Sequence, residues 1–465
     1  MTAHTPADAE NTERVKEVLA PLHAGLLDEA ESLYLDLHRH PELSHQEERT
    51  AALAAGCLEK GGFDVVTGVG GHGVAGVLHN GDGPTVMLRA DMDALPVQES
   101  TGLPYASERR ALNSEGEEVP VSHACGHDAH MSSMLTAAVL LARARHAWRG
   151  TLLAVAQPAE ETGDGAQAML EDGLYSRILK PDVALAQHVV PLPIGIIGHR
   201  SGPMMAASAV VKVTIFGRGG HSSAPQATID PVVIAAHVIT RLQTVVAREV
   251  DPASCAVVSV GTLHAGTQAN IIPDAAELGI SVRCYDDALQ DHLLNAIKRI
   301  VEAEAAASGA PRPPEVEVIE GVPVNDNSPA LTSKVRAAHE AYFGEGRVME
   351  MPLLAASEDF PYFGAAGAGV HYDGTAVPTV YWVVGSTSIE AWQSAPGATP
   401  QEKVKHLPTN HSPQFAPDPR PTLLTASEAM VTAALSYLGS SVRPTGTWGV
   451  GEGAGLGACS CEAED

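Results

Sequence analysis

Basic side chains are scarce in this sequence. Against 56 Asp and Glu, the 465 residues include only 29 Lys and Arg, for a formal net charge of −27. A surface of that sign repels phosphate backbones and anionic headgroups, which argues against nucleic acid and anionic membranes as partners. An anionic small substrate stays open, because the charge inside a cleft can oppose the global sign. Also missing is any uninterrupted apolar run of about 18 residues, so no membrane span is expected. The opening MTAHTPADAENTERVK has neither the basic segment nor the apolar core of a secretory signal. Six cysteines (57, 125, 255, 284, 459 and 461) show no disulfide-framework spacing, and Cys459 with Cys461 is too little for a zinc site. They read as reduced thiols, and the expectation is a cytoplasmic protein. No internal repeat is visible.

A chain of this length exceeds one compact core, and two to three domains are expected. Leucines recurring from Leu19 to Leu37 predict helix over about 8–38, stopped by Pro41. Ser44 and Glu47 suggest a capping box for a helix from Glu48 to Lys60. Short β-type runs follow at 65–66, 74–78 and 85–89, then an apolar helix from Met131 and buried-strand patterns at 151–156 and 183–186. From about Met204 the order becomes β-α-β-β-α-β over roughly 115 residues, the ferredoxin-like signature. The resulting division is a first catalytic segment at 1–203, an inserted α+β domain at 204–321, a second catalytic segment at 322–440, and a disordered tail at 441–465. The fold class is α/β, a mixed sheet flanked by helices.

The densest chemistry is His123-Ala124-Cys125-Gly126-His127-Asp128, where a loop enters a helix. Helix-dipole ends favour a thiolate there, and a thiolate and an imidazole two residues apart can reach one metal ion. An inert buried thiol among ordinary polar histidines is an equal reading of the hexapeptide alone. Asp91 and Asp93 end an apolar strand at i, i+2, so both point the same way. Glu160 and Glu161 follow another buried strand, where adjacent carboxylates call for a compensating cation. A third strand ends at His188, and His411 lies in NHSP. Five ligand candidates (Cys125, His127, Glu161, His188, His411) could hold two divalent ions, with Glu160 beside them as a base. Asp91 and Asp93 would orient imidazoles from behind. His38, His40, His123 and His130 are set aside as packing or supporting groups, Asp128 as a helix cap and Asp359 as a support.

Eight segments in order carry a likeness: LHRHPELS (37–44), RADMDALP (89–96), HACGHDAHM (123–131), QPAEE (157–161), GGHSSAP (219–225), QANIIPD (268–274), SEDFPYF (357–363) and NHSP (410–413). Together they resemble the amidohydrolase branch of the co-catalytic zinc/manganese metallopeptidases, which includes hippurate, N-acyl-amino-acid and auxin-conjugate hydrolases. The resemblance implies two divalent metal ions (Zn or Mn, with Co possible) on Cys125, His127, Glu161, His188 and His411. It implies Glu160 as the general base toward a metal-bridging water. His221 would steady the oxyanion, in its own subunit or the partner's, from an inserted lid and dimerisation domain. Asn270 and Arg283 match positions near the substrate carboxylate. Two departures stand out: Gln226 replaces a frequent His and cannot carry a proton, and the 386–405 loop is longer than usual. The implied reaction is hydrolysis of an N-acyl amino acid by a homodimer. The alternatives are a dipeptidase or carboxypeptidase of the same superfamily, or a catalytically dead metal-binding relative.

Overall fold

The computed structural model describes residues 6–440, which divide into two compact units. The reading of 441–465 as a disordered tail lies outside the described residues. The first unit takes the chain up to Gly202, Asn327–Pro352 and the part from Phe360 onward; the second takes Pro203–Asp326 and Leu353–Asp359.

A nine-stranded mixed sheet forms the first unit. Its middle is parallel: Trp148–Gln157 pairs with Thr85–Asp91, which pairs with Val183–Pro193, which pairs with Thr379–Thr387. The antiparallel strands Gly73–Asn80 and Asp64–Val69 extend one edge. The Trp148–Gln157 strand is buried at nine of its ten positions, the near-continuous apolar pattern of a strand covered on both faces. The helix His127–Arg143 is buried from His127 to Leu141, and it packs on the helices Leu27–Arg39 and Pro419–Tyr437. A helix covered on all sides needs apolar or small residues all round, which MSSMLTAAVLLA supplies.

Several expectations are corrected. The first helix is not continuous: Gly25, at φ 133, breaks it into Pro6–Pro21 and Leu27–Arg39 around a wider turn. The helix Glu48–Lys60 forms without the capping box, because Ser44 Oγ donates to Asp93 Oδ2 and Glu47 turns to other backbone amides. His188 lies inside the strand Val183–Pro193, not past its end. Its neighbour Thr85–Asp91 pairs only as far as Ala186, which clears the space beside His188. The 386–405 loop holds two short helices, Ile389–Ser394 and Pro400–Val404, the second with a true capping box from Thr399 and Glu402. Among the described residues, Cys125, Cys255 and Cys284 are free cysteines.

In the second unit a four-stranded antiparallel sheet runs Ala256–Ala265, Ala275–Cys284, Ala207–Phe216, Glu315–Val322. The helices Pro231–Arg248 and Asp287–Ala307 cover one face, meeting alternate residues such as Val211, Val213, Ile280 and Val282. Both helices start on an aspartate: Val232 N–H donates to Asp230, and Leu289 N–H to Asp286. The chain order of these elements is β-α-β-β-α-β.

Candidate metal centre

The parallel strands of the first unit bring their carboxyl ends to one edge, the crevice where open α/β sheets bind ligands. Four loops or strand ends supply the polar groups there. Gly126, at φ 86, turns the chain into the His127–Arg143 helix. A Cβ at this position would stand 2.4 Å from Val189 Cγ2, so only glycine fits. The turn sets Cys125 and His127 on either side. Cys125 Sγ lies 3.4 Å from His188 Nε2. His127 Nε2 lies 3.8 Å from Glu160 Oε2 and 3.7 Å from Glu161 Oε1, and Glu161 Oε2 is 3.3 Å from His411 Nε2.

Donor atoms therefore cluster in triplets. Cys125, His127 and His188 form one; Cys125, Glu161 and His411 form another, so Cys125 is common to both. A third joins His127, Glu160 and Glu161. Two buried atoms, His127 Nε2 and Glu161 Oε1, have no hydrogen-bond partner among the described residues, yet they face each other. Unpaired buried polar atoms are costly, and a cation between them would satisfy both. A thiol, imidazoles and a carboxylate suit a borderline-soft divalent ion. The residues present fit the group.

Charge is unevenly distributed in this cluster. Burial opposes a charged His127, but the Asp91 and Asp93 carboxylates outweigh it and hold the ring up at about 10. Burial and the neighbouring His130 push His188 well below the usual imidazole range. Burial, then the Glu161 and Glu160 carboxylates, push the Cys125 thiol well above its ordinary value. Burial and these acids thus work against the thiolate that the helix end would favour.

Behind the donors is a fully buried polar framework. His127 Nδ1 donates to Asp93 O at 2.9 Å, and Asp93 Oδ2 accepts the Glu161 N–H at 3.0 Å. His130 Nδ1 donates to Asp91 Oδ1 at 2.6 Å, while its Nε2 accepts the Val189 N–H at 2.9 Å. Arg89 completes the chain, donating to Asp91 Oδ2 and Gln157 Oε1, each at 2.7 Å. Asp91, His127 and His130 also lie close enough to share an ion. Both His130 nitrogens are already engaged, which leaves that triplet as framework. His38, also set aside earlier, is a buried imidazolium held between Asp128 and Glu99. Burial resists its charge, but those two carboxylates raise it to about 9. Asp128 is inside the first helical turn, bonded to His38 and to the Ala129 N–H.

Sequence reasoning missed two supporting groups. Glu47 is buried, and its Oε1 accepts the His45 and Ala159 N–H groups at 3.0 and 2.8 Å. Both residues have positive φ, 65 and 53, and Ala159 directly precedes the paired glutamates. Asn410 is the other, and the only signal for it was its place beside His411 in NHSP.

The remaining candidates belong to the second unit. His221 is exposed, and its Nδ1 accepts the Ser223 N–H at 3.1 Å. Asn270 lies close by, its backbone oxygen accepting the Ser222 N–H. Arg283 is on the strand Ala275–Cys284, where it donates to Ala355 O and Ser357 Oγ at 2.8 Å. Gln226 is exposed in a single 3-10 turn, Pro225–Ala227. No helix among the described residues is long and apolar enough to cross a membrane.

A profile described as Peptidase family M20/M25/M40 matches residues 87–404. The chain is 36% identical over 330 residues to an N-acetyl-L-cysteine deacetylase of Bacillus subtilis, covering 70% of this chain and 75% of that one. It is 38% identical over 351 residues to a hippurate hydrolase of Campylobacter jejuni, covering 74% and 87%. Among solved structures, a Bacillus subtilis protein described as a dinuclear metal binding peptidase matches with a TM-score of 0.67 and 28% identity, over 89% of this chain and 98% of that one.

Proposed function

The chain belongs to peptidase family M20/M25/M40, and from that membership we propose that it hydrolyses the amide bond of N-acyl or N-aroyl amino acids. The products are a carboxylic acid and a free amino acid. The observation that carries the reading is the pair of donor triplets sharing Cys125, with a further carboxylate, Glu160, beside them. Relatives named for deacetylating N-acetylcysteine and hydrolysing hippurate support the substrate class.

In this proposal Cys125, His127 and His188 hold one divalent ion, and Cys125, Glu161 and His411 hold a second. Zinc or manganese, with cobalt a further candidate, would supply Lewis acidity toward the scissile carbonyl and would make water acidic at neutral pH. The chain's own groups do the rest. Glu160 takes a proton from the attacking water as its oxygen bonds to the carbonyl carbon, then gives that proton to the leaving nitrogen as the C–N bond breaks. Asp93 and Asp91 hold the imidazoles in place. His221 accepts a backbone hydrogen bond at Nδ1, so its neutral ring carries the proton on Nε2. That tautomer is a donor, which suits it to a developing oxyanion. Asn270 and Arg283 are the proposed contacts of the substrate carboxylate. The 204–321 segment is proposed as a ferredoxin-like lid through which two copies pair.

The deciding experiment is a hydrolysis panel of acetyl-, benzoyl-, indoleacetyl- and aminobenzoyl-amino acids with dipeptides, in added Zn, Mn or Co. Cleavage of the N-acyl amino acids is the expected result. Cleavage of dipeptides alone would replace the proposal with a peptidase.

A further inference from the structure

We infer that Asn410 is a positioning residue that ties together the three backbone segments carrying Cys125, His188 and His411. Its side-chain amide has two hydrogens and uses both on distant backbone carbonyls: Nδ2 donates to Cys125 O and to Val189 O, each at 3.1 Å. The same nitrogen lies 3.9 Å from Cys125 Sγ. The next residue adds a third tie, His411 N–H donating to Ala124 O at 2.8 Å.

Each acceptor is placed where it matters. Cys125 O belongs to the residue shared by both donor triplets. Val189 O also accepts from His188 Nδ1, at 2.7 Å, which sends His188 Nε2 toward the thiol. Val189 is held from the other side as well, its N–H donating to His130 Nε2. Asn410 therefore fixes the carbonyl that orients one imidazole while carrying the next imidazole on its own backbone.

His411 needs such an anchor more than the other donors do. Its side chain is 55% exposed, so packing does not hold the ring, and its φ of 67 is a conformation that non-glycine residues seldom adopt. A strained backbone persists only where its surroundings over-determine it. With the Asn410 donors removed, the segment at 410–411 would relax away from Cys125 and the second triplet would open.

This inference rests on the proposed ligand set, and the test separates the two. Full-length wild type, Cys125→Ser, Asn410→Ala and Asn410→Leu are stripped of metal and titrated with zinc against a chelator. Their metal-free melting temperatures are measured alongside. Cobalt-loaded samples are compared by the thiolate-to-cobalt charge-transfer band. Leucine fills the space of asparagine without its donors, so an effect common to both Asn410 variants comes from the lost hydrogen bonds. Both should bind zinc about 10–100-fold more weakly, as for other groups behind a metal ligand, and show a weakened charge-transfer band. Their metal-free melting temperatures should move by no more than about 4 °C. If Cys125→Ser loses affinity while both Asn410 variants bind like wild type, the inference is overturned and the ligand set stands. If Cys125→Ser binds zinc like wild type, the ligand set itself fails and this inference with it. Lower melting temperatures with unchanged zinc affinity would also overturn it, by making Asn410 an ordinary loop anchor.

Discussion

His127 donates from Nδ1 to the backbone oxygen of Asp93 at 2.9 Å, with Asp93 Oδ1 only 3.2 Å from the same nitrogen. This one contact orients the ring and turns Nε2 toward Glu160 and Glu161. It also links two motifs that the sequence separates by more than thirty residues. Asp93 has two further bonds, from Ser44 Oγ and the Glu161 N–H, so its carboxylate fixes the imidazole and the paired glutamates together.

Replacing that carboxylate should therefore loosen the metal before it loosens the fold. For Asp93→Asn we expect zinc affinity to fall about 10–100-fold. Chelator competition on full-length protein measures this, and wild-type affinity in the variant would remove Asp93 from its orienting role.

Glu160→Gln keeps the side-chain volume and removes the proposed base. Metal content should match wild type, while kcat should drop about 100- to 10,000-fold with KM little changed. Steady-state kinetics with metal analysis on the same sample tests this; full activity would rule Glu160 out as the proton carrier.

Arg89 is a buried cation joined to Asp91 and Gln157 at 2.7 Å. Arg89→Met would leave the Asp91 carboxylate buried with less compensation, a change that typically costs about 3–5 kcal/mol. Urea unfolding of the metal-free protein gives the number. The double variant Arg89→Met, Asp91→Asn should recover part of the loss, because it removes the stranded charge.

Gly126→Ala places a Cβ 2.4 Å from Val189 Cγ2 at a residue with φ 86. Strain and overpacking should together cost about 1–3 kcal/mol. Because Val189 follows His188, zinc affinity should weaken too. A variant as stable and as tight as wild type would show that the turn can relax.

Far from the donors, His199 Nε2 donates to His339 Nδ1, and His339 Nε2 donates to Ala429 O, both at 2.9 Å. Burial lowers His339 from 6.5 to about 4; burial, then His339 and Arg336, hold His199 well below its usual range. Both rings are neutral in the native state, and the unfolded chain binds their protons first. Their contribution is complete above about pH 6.5 and is lost as pH falls toward 4. His339→Gln can keep both hydrogen bonds without titrating. Between pH 7 and 5 its stability should fall by about 2 kcal/mol less than that of wild type, measured by urea unfolding. Parallel curves would overturn this.

The local signals in the sequence were strong where a pattern needs only its own neighbours. The buried strand around TLLAVA, the apolar helix after HACGHD and the β-α-β-β-α-β order are all set by hydrophobic periodicity, which each segment carries in itself. The clustered acids and imidazoles were legible for the same reason: such groups at the ends of apolar strands need a partner. Ser44 shows the limit of local reading. Its spacing to Glu47 fits a capping box, yet its hydroxyl serves Asp93, which lies far along the chain.

What the sequence by itself determined was the identity of the chemically active side chains and the elements that carry them, since periodicity and residue type act at short range. Only the tertiary structure decided which groups face each other and in what protonation state. His188 lies beside Cys125 in a strand whose neighbour stops pairing at Ala186, and two carbonyls from other segments meet the Asn410 amide. The Cys125 thiol is held well above its usual range because folding buries it first of all, and then sets Glu161 and Glu160 beside it.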